Sequence, residues 1–117
     1  MNNTDKLALF DYATEFTFLP TGTVSGQDWD NLRNFVIEVT HASDGSWMIW
    51  TAAHEAWDET EQKWYHSLLP ELREEPVKSL TRYEFDEAIS LAYKLRDTVK
   101  VNGLTYHQWQ EFFANRT

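Results

Sequence analysis

The chain has 117 residues, nineteen of them Asp or Glu and ten Lys or Arg, for a net charge of −9 at neutral pH. That balance repels a phosphate backbone, so it excludes direct nucleic-acid binding through any basic face the few cations could build. With 42% hydrophobic and 15% aromatic residues the chain can fill a core, and the absence of cysteine excludes disulfides, thiolate catalysis and Cys-ligated metals. The length fits one compact domain over 1–117, strand-rich in 1–69, connecting in 70–79 and helical in 80–117. No apolar run approaches the roughly 20 residues that span a bilayer. The opening Met1-Asn2-Asn3-Thr4-Asp5 lacks the basic and apolar regions of a secretory signal, so the expectation is a cytoplasmic protein with no membrane partner.

In residues 9–19, Tyr12, Thr14, Phe16 and Phe18 alternate with Ala13, Glu15, Thr17 and Leu19, which predicts a first strand whose pairing is open. Residues 20–26 have loop chemistry, and Ser25 or Asp28 can cap a short helical turn carrying Trp29 and Leu32. The β-branched and aromatic runs 35–40 and 47–51 flank Asp44-Gly45, a favoured hairpin turn. A second hairpin is predicted where Trp57 and Trp64 bracket the polar turn 58–63, with its return strand over 64–68.

Between Pro70 and Pro76 a charged connection changes the pattern from strands to helices. Thr81-Arg82-Tyr83-Glu84 reads as a capping box with Leu80 and Phe85 as its hydrophobic staple. Phe85, Ala88, Ile89, Ala92 and Leu95 then recur at three-and-four spacing, an amphipathic helix to about Arg96. Glu84, Asp86 and Glu87 at its start and Lys94 and Arg96 at its end complement the helix dipole. Val99-Lys100-Val101 predicts a short strand and Asn102-Gly103 a turn. Thr105-Tyr106-His107-Gln108 predicts a second capping box, stapled by Leu104 and Trp109, opening a helix through Phe112 and Phe113. The fold class is α+β: an antiparallel sheet of about four strands, with two hairpins, followed by two C-terminal helices packed on one face.

Catalytic motifs are nearly absent. Gly22-Thr23-Val24-Ser25-Gly26 has its serine one place away from a nucleophile elbow and lacks the strand-to-helix context. His54-Glu55-Ala56-Trp57-Asp58 begins like the zinc-protease motif but ends in Asp where the second His is required. His54, Asp58 and His66 can approach across the second hairpin, which leaves a small enzyme or metal protein as the least favoured reading; His41 and His107 read as ordinary surface or hydrogen-bonded histidines. The carboxylate pairs lie in polar runs where both members stay ionised, and the four glycines form no phosphate loop. No cofactor, catalytic residue or metal ligand is therefore expected.

Trp47, Trp50 and Trp109 fall on segments whose patterns predict burial. Trp57 and Trp64 have two readings: an opposed pair that fixes the hairpin register, or, with Tyr65, an exposed aromatic anchor. Between Glu55 and Glu87 there are ten acids against four Lys plus Arg. If Glu55, Asp58, Glu59, Glu61, Glu71, Glu74, Glu75, Asp86 and Glu87 share one face, they present a carboxylate array to a basic groove in a protein partner. In size and charge the chain is similar to the small acidic inhibitors that phages and mobile elements direct at restriction or CRISPR enzymes; that likeness carries no site residue. The expectation is a non-enzymatic binding protein, either such an inhibitor or an adaptor docking through the aromatic hairpin.

Overall fold

A computed structural model describes residues 15–23 and 29–114; the predicted strand residues 9–14 and the proposed caps Ser25 and Asp28 lie outside the described residues. Five strands form one antiparallel sheet in chain order: β1 (Glu15–Phe18), β2 (Ile37–His41), β3 (Trp47–Thr51), β4 (Glu55–Asp58) and β5 (Lys63–His66). The sheet is α+β in class as expected, with five strands instead of about four. Both hairpins form, and the first strand adds an edge beside β2, with Phe16 opposite Val39 and Phe18 opposite Ile37. A single-turn helix, α1 (Trp29–Leu32), interrupts the connection between β1 and β2.

Turn chemistry sets both hairpins. In the first, the Gly45 N–H donates to the Ala42 carbonyl and the Ala42 N–H to the Ser46 carbonyl. Gly45 takes φ 89°, a left-handed value that penalises any side chain, while Asp44 Oδ1 accepts the Ser46 N–H at 3.0 Å. In the second, Asp58 Oδ1 accepts the Glu61 N–H at 3.0 Å and places Trp57 directly opposite Trp64, as the register reading requires. The return strand stops at His66, two residues short of the predicted end.

Alternation along the strands sends side chains to two packed faces. On one, Ile37, Val39, Trp47, Ile49 and Trp57 meet Ala88, Ala92 and Leu95 of helix α3 (Phe85–Leu95). Ala88 and Ala92 are fully buried, so their small size sets how closely α3 approaches β2 and β3. On the other face Met48 and Ala56 pack with Leu72, flanked by Val77. The segment expected to be a connection thus folds into a 3-10 turn (Pro70–Arg73) and a one-turn helix, α2 (Val77–Leu80), that cover this face. Leu72 and Val77 were its only apolar signals inside a charged run.

Thr81 is not the cap of α3. Its Oγ1 donates to the Val77 carbonyl at 3.0 Å, at the end of α2, and Glu84 caps α3 without a side-chain hydrogen bond. The reason is Tyr83, which exchanges two backbone hydrogen bonds with Trp47 at 2.8 and 2.9 Å. That bridge extends the sheet and delays the helix. The second capping box forms as expected: Gln108 Oε1 accepts the Thr105 N–H at 2.9 Å, and Thr105 Oγ1 accepts the Gln108 N–H at 3.3 Å. It opens α4 (Tyr106–Ala114) after a small ribbon of β6 (Lys100–Val101) and β7 (Leu104–Thr105), turned by Asn102 and Gly103 at φ 53° and 82°. Tyr106 of α4 packs with Leu32 and Phe35 in a third cluster. Trp47 is buried as expected, whereas Trp50 and Trp109 are half-buried at the margins of the second and third clusters.

A polar latch ties the loop after β1 to the junction of α3 and α4. Asp97 accepts the Thr21 N–H at 2.8 Å and the Thr21 hydroxyl, and stands 3.3 Å from His107 Nε2. Partial burial pushes the Asp97 carboxyl up, but the Thr21 and His107 hydrogen bonds outweigh it and hold the pKa below the ordinary value. A depressed native pKa stabilises the fold at pH above the ordinary Asp range, and the gain is lost as pH falls through the native value. Asp97→Ala is therefore expected to cost about 1 kcal/mol at neutral pH, as exposed charge-assisted bonds do. In urea titrations across pH, the gap to the parent should close under acid conditions; a constant gap would assign the loss to packing.

Candidate functional site

Of the nine predicted acids one is buried, Asp58; Glu55 and Glu59 are half-buried and the other six are exposed. Asp58 is fully buried, with Oδ1 on the Glu61 N–H and Oδ2 enclosed without a partner, so it belongs to the hairpin turn and not to an acidic surface. Glu59 is held from three sides. Its carboxylate accepts the Trp57 indole N–H at 3.2 Å and the Gln62 amide, and pairs with Lys94 Nζ at 3.0 Å. Partial burial raises its pKa, and the bonds from Lys94, Gln62 and Trp57 together bring it below the ordinary value. Glu59 is thus a clasp between the hairpin turn and α3.

The remaining acids divide between the two sides of the sheet. Glu71, Glu74 and Glu75 are exposed on and just beyond the 3-10 turn, over the Met48 face. Asp86 and Glu87 are exposed in the first turn of α3, over the Trp47 face. Glu61 stands exposed on the hairpin turn, and Glu55, half-buried, lies 3.4 Å from Thr51 Oγ1. The shared face on which the carboxylate array was conditional is thus divided between elements: Glu71, Glu74 and Glu75 belong to the segment packed on the Met48 face, and Asp86 and Glu87 to the helix packed on the Trp47 face.

The aromatic anchor does not form either. Trp57 is 6% exposed and packs in the main core, with its ring centroid 4.8 Å from that of Trp64. Trp64 is half-buried beside it, while Tyr65 points to the opposite face beneath Lys63 Nζ, 4.7 Å from the ring centre. The metal trio is separated by the same alternation. His66 pairs with Glu55, and Asp58 lies three residues further along β4, so Asp58 and His66 occupy opposite faces. Among the described residues no three His, Asp or Glu side chains gather as metal ligands. The loop serine of 22–26 lies outside the described residues.

Two exposed features were not anticipated. Leu68 is 83% exposed just before the Pro70 turn and lines an open hollow with Arg73 and Glu74. Its signal was the Leu68-Leu69-Pro70 run, because Pro cannot continue a ladder and Leu68 therefore falls beyond the strand. Tyr93 is also exposed on α3, at the position that breaks its apolar stripe. No helix among the described residues is long and apolar enough to cross a membrane. Compared with protein-family profiles, with curated proteins and with solved structures, the chain matches none of them.

Proposed function

We propose that the protein is a non-enzymatic binding protein whose acidic flank occupies a basic groove on a nucleic-acid-handling protein and competes with nucleic acid for it. The observation that carries this reading is uncompensated charge. Among the described residues only Glu59 and Asp97 pair with a basic side chain, leaving Glu55, Glu61, Glu71, Glu74, Glu75, Asp86 and Glu87 without an internal cation. Seven unpaired carboxylates on a chain of net charge −9 build a negative potential that steers association with a positive surface and is screened by salt. Exposed Leu68, in the same open hollow as Glu74, adds an apolar contact of the kind that gives protein interfaces residence time beyond steering.

The test is capture of partners from nuclease-treated lysate of the cell that makes the protein, washed at low and then high salt. A salt-released protein that binds nucleic acid, and whose nucleic acid is displaced by the purified chain, is the expected result. Glu61→Lys, Glu71→Lys and Glu74→Lys together should weaken that complex by about a hundredfold while leaving the thermal midpoint within a few degrees, since all three side chains are exposed. Unchanged affinity in the triple variant would sink the reading, and a salt-resistant partner would place binding on an apolar surface instead.

A further inference from the structure

At the end of the sheet where β3 turns into β4, the segment that follows α3 bounds a hollow of about 240 Å³. Thr51, Glu55 and Trp64 line it from β3, β4 and β5, and Val99 and Lys100 line it from the segment after α3. Thr51 lies two positions from Ile49 and Glu55 two from Trp57, so alternation turns both side chains to the face that α3 covers. Every hydrogen bond, ion pair and ring contact of these five residues is made to another described residue. The hollow is smaller than the roughly 300–1,000 Å³ of ordinary ligand pockets, which limits an occupant to a molecule of amino-acid size.

The lining carries one charge of each sign, and the two do not meet. The half-buried Glu55 carboxylate accepts only a long contact from the Thr51 hydroxyl, at 3.4 Å, and pairs with no cation among the described residues. Lys100, exposed at the start of β6, pairs with no described carboxylate, so no ion pair joins it to Glu55. Trp64 packs on Trp57, with ring centroids 4.8 Å apart, and also lines the hollow, where buried Val99 completes an apolar wall. An indole face attracts a cation, so Trp64 and Glu55 favour the same sign of charge. A plain amine in this hollow meets repulsion from Lys100, and a plain carboxylate meets it from Glu55. A molecule that carries both charges finds a partner for each.

We propose that this hollow binds a free α-amino acid with an uncharged side chain, its ammonium on Glu55 against the Trp64 ring, its carboxylate on Lys100 and its side chain beside Val99. Glu55 and Lys100 are the two charged residues of the lining, and the ligand's own ammonium and carboxylate occupy both. A charged side chain on the ligand is then left without a partner and is selected against. The site is independent of the proposed acidic contact, because Glu61, Glu71 and Glu74, which the test of that contact reverses, do not line the hollow.

The test is titration of the isotopically labelled full chain with each standard amino acid in free form, following backbone and indole resonances by NMR. Saturable shifts at Glu55, Trp64 and Lys100 are expected with one or a few uncharged amino acids, at a dissociation constant on the order of 0.1–1 mM for so small a ligand. For the best of them, acetylating the amine should weaken binding about tenfold, and amidating the carboxylate should weaken it several-fold, less because Lys100 is exposed. Glu55→Gln should weaken the free amino acid about tenfold and make acetylation cost little further. Lys100→Gln should likewise remove the effect of amidation. Trp64→Phe keeps a ring against the core and serves as a further variant, with a loss of a few-fold expected. No saturable shift with any amino acid up to its solubility, shifts confined to residues away from the hollow, or equal binding by Glu55→Gln or of either blocked ligand would overturn the proposal.

Discussion

Trp57→Ala is expected to remove about 3–5 kcal/mol of stability, the usual cost of deleting a large buried aromatic side chain, and to lower the thermal midpoint by on the order of 15 °C. The indole is 6% exposed among Trp47, Ile49 and Tyr83, stacks obliquely on Trp64 and donates its N–H to Glu59. Deleting it empties the centre of the main core and frees one side of the clasp that Glu59 makes with Lys94. Trp64→Ala, at a half-buried position, should cost about half as much. Urea titration separates the outcomes. A lower midpoint at unchanged slope is the expected result. A Trp57→Ala protein as stable as the parent but unable to hold a partner captured by the parent would instead make the indole an interface residue and contradict its place in the core.

The two readings of Trp57 could not be separated in the sequence because they share one local pattern. An aromatic pair across a hairpin looks the same whether the hairpin lies at the surface or under a helix, and only α3 crossing that face decides it. What was legible was local: β-branched runs with Asp44-Gly45, the Asn102-Gly103 turn, the apolar stripe from Phe85 to Leu95, and the second capping box each carry their own geometry. The first capping box, Thr81-Arg82-Tyr83-Glu84, fits the same pattern of Thr followed three residues later by Glu or Gln, and failed. Non-local backbone bonds between Tyr83 and Trp47 outcompete a cap worth about 1 kcal/mol. The segment 70–79 was illegible for a related reason: Leu72 and Val77, two aliphatic residues in ten, do not signal burial until the Met48 face is there to receive them.

The same limit applied to charge. Ten acids between Glu55 and Glu87 were visible as a count, yet which of them remain free depends on contacts far apart in sequence. Lys94 reaches Glu59 across thirty-five positions, and the Asp58 carboxylate is enclosed at the hairpin turn. The chain crosses from one face of the sheet to the other between α2 and α3, which separates Glu71, Glu74 and Glu75 from Asp86 and Glu87. The acidic surface that the proposed binding would use is therefore narrower than composition suggests. The proposed contact then rests on the exposed Glu71, Glu74 and Glu75 and is expected to be salt-sensitive and of modest area.

The residue that makes this crossing is Tyr83, and Tyr83→Phe is expected to cost about 2–3 kcal/mol although the ring is retained. The hydroxyl donates toward the Trp57 and Leu80 carbonyls, at 2.9 and 3.1 Å, and accepts the Glu59 N–H at 2.9 Å. It thus satisfies backbone groups from β4, the hairpin turn and α2 at one buried point. Phe leaves the Trp57 carbonyl and the Glu59 N–H without a partner, and each unmet buried group costs on the order of 1–3 kcal/mol. The hydroxyl also sets the alkaline limit of the fold. Burial, with the nearby Asp58, Glu59 and Glu87 charges, pushes its pKa up to about 12 against the bond from the Glu59 N–H. A raised native pKa means that the native state holds its proton more tightly than the unfolded chain. This contribution is full below the unfolded value of 10.0 and is lost as pH rises toward about 12. Stability of the parent measured by urea should fall across that window, and Tyr83→Phe, weaker at neutral pH, should lose less over the same interval. Parallel curves for the two proteins would show that the hydroxyl does not hold this junction.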